Sequence, residues 1–108
     1  MAIKDILETE IPKRLTAKPE LAKDINAVVH FSITGDGGGD WTLDCTKTEG
    51  WVTSGKVGES KMTIIAAAAD FEKIINKQMN AQMAAMQGKL KFKPMDMALA
   101  MKLGKLLA

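Results

Sequence analysis

The chain has 108 residues, 46% of them hydrophobic and 26% charged, with a formal net charge of +2. That balance suits one globular domain, expected over 1–108, and excludes a disordered chain. Cys45 is the single cysteine and no apolar run nears the ~20 residues of a membrane span, which excludes a disulfide scaffold and a spanning helix.

In chain order, Ile3, Ile6, Leu7 and Ile11 recur at helical spacing around Asp5, Glu8 and Glu10, predicting a short amphipathic helix closed by Pro12. A second helix is expected from Pro19 to about Asp24. The period then drops to two. Val29, Phe31 and Ile33 alternate with His30, Ser32 and Thr34, and Trp41, Leu43 and Cys45 form the apolar set of the next strand. Gly35-Asp36-Gly37-Gly38-Gly39-Asp40 joins the two as a hairpin loop. A third strand is expected near Trp51 to Lys56, and a fourth with Met62, Ile64 and Ala66 on one face. Asp70 is read as the N-cap of a helix burying Phe71, Ile74 and Ile75. Asn80 caps another helix carrying Met83, Met86 and Gln87 on one side, which Gly88 ends. Leu90 and Phe92 alternate with Lys89, Lys91 and Lys93 as a fifth strand, and Asp96 caps the last helix. Strands and helices are partly segregated, so the class is α+β.

Two features set the C-terminal part apart. Six of the eight methionines lie between Met79 and Met101, and methionine is a flexible, polarizable side chain suited to apolar partners of varied shape. On a helical wheel at ~100° per residue, the apolar residues of 96–107 (Leu106, Leu99, Leu103, Leu107, Ala100, Met97 and Met101) span roughly 220°, with Lys102 and Lys105 opposite. A surface helix needs an apolar stripe of only ~100°. The excess fits three arrangements: burial under the N-terminal helices, the wall of a ligand cavity, or a docking surface for another chain or a membrane.

Charge divides at the same place. Residues 1–72 carry eight Lys/Arg and twelve Asp/Glu, or −4, whereas residues 73–108 carry seven lysines against Asp96 alone, or +6. This reads either as a solvated lysine face or as attraction to an anionic membrane surface. Nucleic acid is not expected as a partner, because the lysines have few aromatics among them and arginine is nearly absent.

Chemistry is sparsely supplied. His30 is the only histidine, and no cluster of metal ligands accompanies it. Cys45 and His30 fall on opposite strand faces and do not read as a nucleophile–base pair. The Gly-rich hairpin lacks the residues of a phosphate or calcium loop. No enzymatic activity and no cofactor are expected. The N-terminal residues carry charges inside their apolar pattern, unlike a signal peptide, and Leu106-Leu107-Ala108 is no peroxisomal tripeptide. The expected location is cytoplasmic.

Taken together, Asp70-Phe71, Asn80-Ala81-Gln82, Gln87-Gly88-Lys89-Leu90-Lys91 and Asp96-Met97-Ala98-Leu99-Ala100-Met101-Lys102-Leu103 resemble motifs of the sterol carrier protein 2 (SCP2-type) lipid-transfer family. Phe31-Ser32-Ile33-Thr34-Gly35 and Trp41-Thr42-Leu43-Asp44 resemble that family's first hairpin. Ala81 stands where the family usually has proline, Pro94-Met95 where it has a single glycine, and Ala85 and Met86 at common aromatic positions. The resemblance implies a five-stranded, mainly antiparallel sheet covered on one face by helices and enclosing a hydrophobic cavity. It implies non-enzymatic binding and transfer of fatty acid, fatty acyl-CoA, phospholipid or sterol, with Phe31, Ile33, Leu43, Met79, Met83, Met86, Gln87, Phe92, Met97, Ala100 and Met101 as ligand-binding residues. A monomer or weak dimer is expected. The alternative is an SCP2-like interaction or dimerisation module that transfers no lipid.

Overall fold

The computed structural model describes residues 2–107. Met1 and Ala108, the two ends of the expected 1–108 domain, lie outside the described residues. The first helix, α1, runs unbroken through Ile3–Asp5, a π-helical stretch Ile6–Glu10, and Ile11–Ala17. Pro12 therefore does not close it, contrary to the sequence reading. The Ile11 amide donates to Ile6, five residues back, and this wider turn places Pro12 at the start of the following helical stretch, where a missing N–H is tolerated. The helix buries Ile6, Leu7, Ile11 and Leu15 completely. The next helix, α2 (Pro19–Ile25), ends at Asn26 in a left-handed conformation, which asparagine accepts more readily than most residues.

Among the described residues five strands form one sheet in the order β3-β2-β1-β4-β5. They are β1 (Val28–Thr34), β2 (Gly39–Asp44), β3 (Val52–Ser54), β4 (Met62–Ala67) and β5 (Leu90–Lys93). Three pairs are antiparallel, but the central pair, β1 with β4, is parallel. The sheet is thus mixed. The parallel pair arises because the chain leaves edge strand β3 and crosses the outer face of the sheet to re-enter beside β1. Three polar contacts fix that crossing: Thr42 Oγ1 donates to the Gly55 carbonyl at 2.7 Å, the Val57 amide donates to Thr42 Oγ1 at 2.9 Å, and His30 Nε2 lies 3.2 Å from the Val57 carbonyl. His30 has a structural partner there.

The inner face carries the core. Register places Trp41 opposite Phe31, Phe31 opposite Ile64, and Ile64 opposite Phe92, so these four form one row across four strands. A second row runs Ile33, Ala66, Leu90. Helix α3 (Ala68–Ile75) lies over this face and brings Phe71 edge-on to Phe31, with centroids 5.8 Å apart. Its N-cap is Ala67, with no side-chain cap bond. Asp70 sits in the first turn instead of capping it, where a carboxylate still favours the positive end of the helix.

Two short helices complete the fold, α4 (Ala81–Met86) and α5 (Met97–Leu107). Their starts follow the sequence reading. Asn80 Oδ1 accepts from the amides of Gln82 at 2.8 Å and Met83 at 3.2 Å, and Asp96 Oδ1 accepts from Leu99 at 3.1 Å. Arg14 ties the helices together. Its guanidinium donates to the carbonyls of Leu106 and Leu107, each at 3.0 Å, and of Ile75 at 3.2 Å, while Nε pairs with Glu10 at 3.2 Å. One side chain of α1 thereby satisfies carbonyls at the C-terminal ends of both α3 and α5, which helices leave unpaired.

Candidate functional site

The broad apolar arc of α5 divides in two. Leu99, Leu103, Leu106 and Leu107 are buried on the side of α5 that packs against the N-terminal helices, whereas Met97 and Met101 are 64% and 57% exposed. Of the three arrangements open to the excess, burial accounts for the leucine side. The methionine side faces a cavity.

That cavity measures about 1070 Å³ and lies among the end of α3, α4, β5 and α5. Its apolar lining comes from Ile74, Met79, Ala81, Ala85, Met86, Phe92, Met95, Met97, Ala100, Met101 and Gly104. The volume matches the upper end of the ~300–1,000 Å³ usual for small-molecule sites. The cavity is a groove open to solvent, not an enclosed tunnel, and Met86, Met95, Met97 and Met101 all stay more than half exposed at its mouth. The short helix α4 covers one side only, and at Ala81 and Ala85 it presents small side chains that close little of the opening.

Of the residues anticipated from sequence, Met79, Met86, Phe92, Met97, Ala100 and Met101 line the groove. Phe31, Ile33, Leu43, Met83 and Gln87 do not. Phe31, Ile33 and Leu43 share the inner face of the sheet with Phe92, but they stand on its central strands, where the core fills the space. Only the edge strand β5 reaches the cavity. Met83 and Gln87 are exposed away from the lining. On this six-residue helix Ala81, Gln82, Ala85 and Met86 line the groove, with Met86 at the edge of that arc and Met83 and Gln87 beyond it at ~100° per residue.

Several lining residues escaped the sequence reading. Met95 belonged to the methionine cluster and was legible there. Gly104 fills the gap between Ala100 and Met97 on the wheel of α5. Lys77, Asn80, Gln82 and Lys105 supply the polar part of the lining, and no Asp or Glu belongs to it. Lys105 adjoins Met101 on the wheel, so the basic flank of α5 begins where its methionine flank ends. Lys89, Lys91 and Lys93 do not flank the mouth. They alternate with Leu90 and Phe92, so they leave β5 on the other face, where Lys89 and Lys91 border a small hollow with Asp70.

Other reactive groups lie elsewhere. Cys45 is buried, and burial, aided by the Asp44 carboxylate, pushes its thiol from 9.0 up to about 12. Such a thiol is not poised as a nucleophile. Among the described residues no group of His, Cys, Asp and Glu is placed to hold a metal ion, and no helix is long and apolar enough to cross a membrane.

The model of the SCP-2 sterol transfer family matches residues 4–108. The chain belongs to this family. Hydroxysteroid dehydrogenase-like protein 2 of Xenopus tropicalis is 36% identical over 89 residues, covering 82% of this chain and 21% of that protein. Human sterol carrier protein 2 is 35% identical over 98 residues, covering 87% of this chain and 18% of that protein. The chain thus spans about a fifth of the length of these curated relatives. Among solved structures, palmitated SCP2L2 from Aedes aegypti superposes with a TM-score of 0.79 at 26% identity, over 99% of this chain and 95% of that one. The SCP2 fold, an α+β sheet with helices on one face, is therefore common to both.

Proposed function

We propose that this domain binds long-chain lipids in the methionine groove and transfers them without chemical change. The observation that carries the reading is the groove itself: about 1070 Å³ of space walled by five methionines, Ile74 and Phe92 in a family that moves lipids. The palmitate held by the Aedes relative supports an acyl tail as the ligand. Each methylene withdrawn from water contributes ~0.8 kcal/mol, so a long acyl tail supplies micromolar affinity after association costs. Desorption from a membrane costs a similar amount, which keeps exchange near balance. Methionines at an open mouth shield the tail during that exchange, because they repack around different chains at little conformational cost. Fatty acid, fatty acyl-CoA, phospholipid and sterol remain the candidate classes, with transient contact at an anionic membrane surface as the delivery step.

Titration with a fluorescent fatty acid, competed by unlabelled lipid, tests the reading. Saturable binding at or below tens of micromolar is expected, and its absence would end the carrier assignment. A second reading, an interaction or dimerisation module, is favoured by Met83, which is 52% exposed outside the groove. Native mass spectrometry of the purified protein separates the two: co-purifying lipid marks a carrier, an empty dimer marks an interface.

A further inference from the structure

Helices α3 and α4 end in the same way but with different residues. After α4, Gly88 adopts φ +74°, its amide donates to Ala85 at 3.2 Å, and the Lys89 amide donates to Ala84 at 2.8 Å. After α3, Lys77 adopts φ +62°, its amide donates to Ile74 at 3.1 Å, and the Gln78 amide donates to Lys73 at 2.8 Å. Both are Schellman caps, whose left-handed position normally belongs to glycine because a side chain there crowds the backbone. Asn26 is the only other non-glycine residue at positive φ among the described residues, and asparagine tolerates that region where lysine gains nothing from it. A left-handed residue that is neither glycine nor asparagine points to a use for its side chain.

That side chain borders the lipid groove. Lys77 lies on its rim at the α3 end and Lys105 on its rim along α5, both exposed. They are the two charged residues of the lining. Among the described residues neither ammonium group is paired with a carboxylate. An apolar trough bordered by two free cations and no anion matches an amphiphile with a long tail and a negative head. We infer that Lys77 and Lys105 form a headgroup clamp, which makes the groove select lipids with a carboxylate or phosphate head over neutral lipids with the same tail. The inference rests on the groove reading above and adds the substrate class. The tail supplies affinity through burial, and the two lysines supply discrimination through charge-assisted hydrogen bonds to the head.

The test compares hexadecanoic acid, hexadecyl phosphate and 1-hexadecanol, which share one tail, on the wild-type protein and on the Lys77→Gln/Lys105→Gln double variant. Affinities are measured by calorimetry in low-salt buffer at about pH 8, where a free carboxylate is ionised. In the wild type an anionic ligand should bind about tenfold more tightly than the alcohol, the amount expected of two exposed charged contacts. The tighter of the two anions names the headgroup. In the double variant the anion-to-alcohol ratio should fall close to one. Lys77→Gly serves as a fold control: it removes the ammonium group yet relieves the left-handed backbone, so discrimination should fall while the thermal midpoint rises. Equal binding of all three ligands by the wild type, or an unchanged ratio in the double variant, would overturn the clamp and leave the groove reading standing. No saturable binding of any of the three would remove the groove reading and the clamp with it.

Discussion

The two flanks of α5 are built from side chains of similar size and hydrophobicity, yet they do different work. Leu99, Leu103, Leu106 and Leu107 pack into the core, while Met97 and Met101, one flank over, stay more than half exposed along the groove. The core flank uses a branched residue with few rotamers, which suits a fixed partner. The groove flank uses an unbranched, polarizable residue, which suits a partner that comes and goes. The difference teaches that apolar surface on one helix can be divided between the core and an open groove, and that side-chain stiffness marks the division.

The sharpest way to break this comparison is to shorten one side chain on each flank. Leu103→Ala should lower the unfolding free energy by about 3 kcal/mol, because a fully buried leucine leaves a cavity when truncated. Met101→Ala should cost less than about 1 kcal/mol, as expected at an exposed position. Urea denaturation of both variants checks the pair, and equal losses would erase the distinction between flanks. The next effect concerns what holds the leucine flank down. Arg14→Gln should destabilise by about 2 kcal/mol, through lost charge-assisted bonds to the carbonyls of Leu106, Leu107 and Ile75. Hydrogen exchange should then show the ends of α3 and α5 opening before the sheet.

Binding sharpens the methionine side of the comparison. Met101→Asp should weaken fatty-acid affinity about tenfold, since an uncompensated carboxylate against an apolar ligand is costly. Lys102→Asp, outside the lining, should change it less than about twofold. Thermal midpoints of both variants should stay near that of the wild type, because both positions are exposed. The smallest effect should be electrostatic. Transfer from anionic vesicles should slow severalfold as salt rises, because exposed charges are screened beyond ~8 Å at physiological ionic strength. Tail affinity, measured with a neutral ligand, should barely respond. Transfer rates indifferent to both vesicle charge and salt would reduce the basic flank to a solvated face.

Much of the local structure was legible in the residues. Asn80 and Asp96 cap the helices they precede, Gly88 ends α4, and period two marks β1, β4 and β5 with the faces observed. These are short-range effects, set by neighbours within a turn or a pleat. The α+β class and the family resemblance were legible for the same reason, since both rest on the order and spacing of such elements. Pro12 shows where that logic stops: a local rule closed α1, but a π-turn before the proline let the helix continue and bury Leu15.

The groove divides along the same line. The methionine cluster comprised six residues from Met79 to Met101, of which Met83 lies outside the groove, and the pattern of the strands could not separate Phe92 from Phe31, Ile33 and Leu43. All four stand on the inner face, and strand order alone puts Phe92 on an edge beside open space and the others beneath the core. Periodicity reports which face a residue occupies and carries no information about what lies across from it. The same holds for the lysines. Sequence located a basic C-terminal third, yet only the folded chain shows that Lys77 and Lys105 both border the groove while Lys89, Lys91 and Lys93 stay out of its lining. Sequence by itself therefore determined most of the elements, the Asn80 and Asp96 caps and the apolar excess of α5, but not the end of α1 or the cap of α3. The tertiary structure decided which part of that excess is core and which is groove, because that depends on which elements come together across the chain.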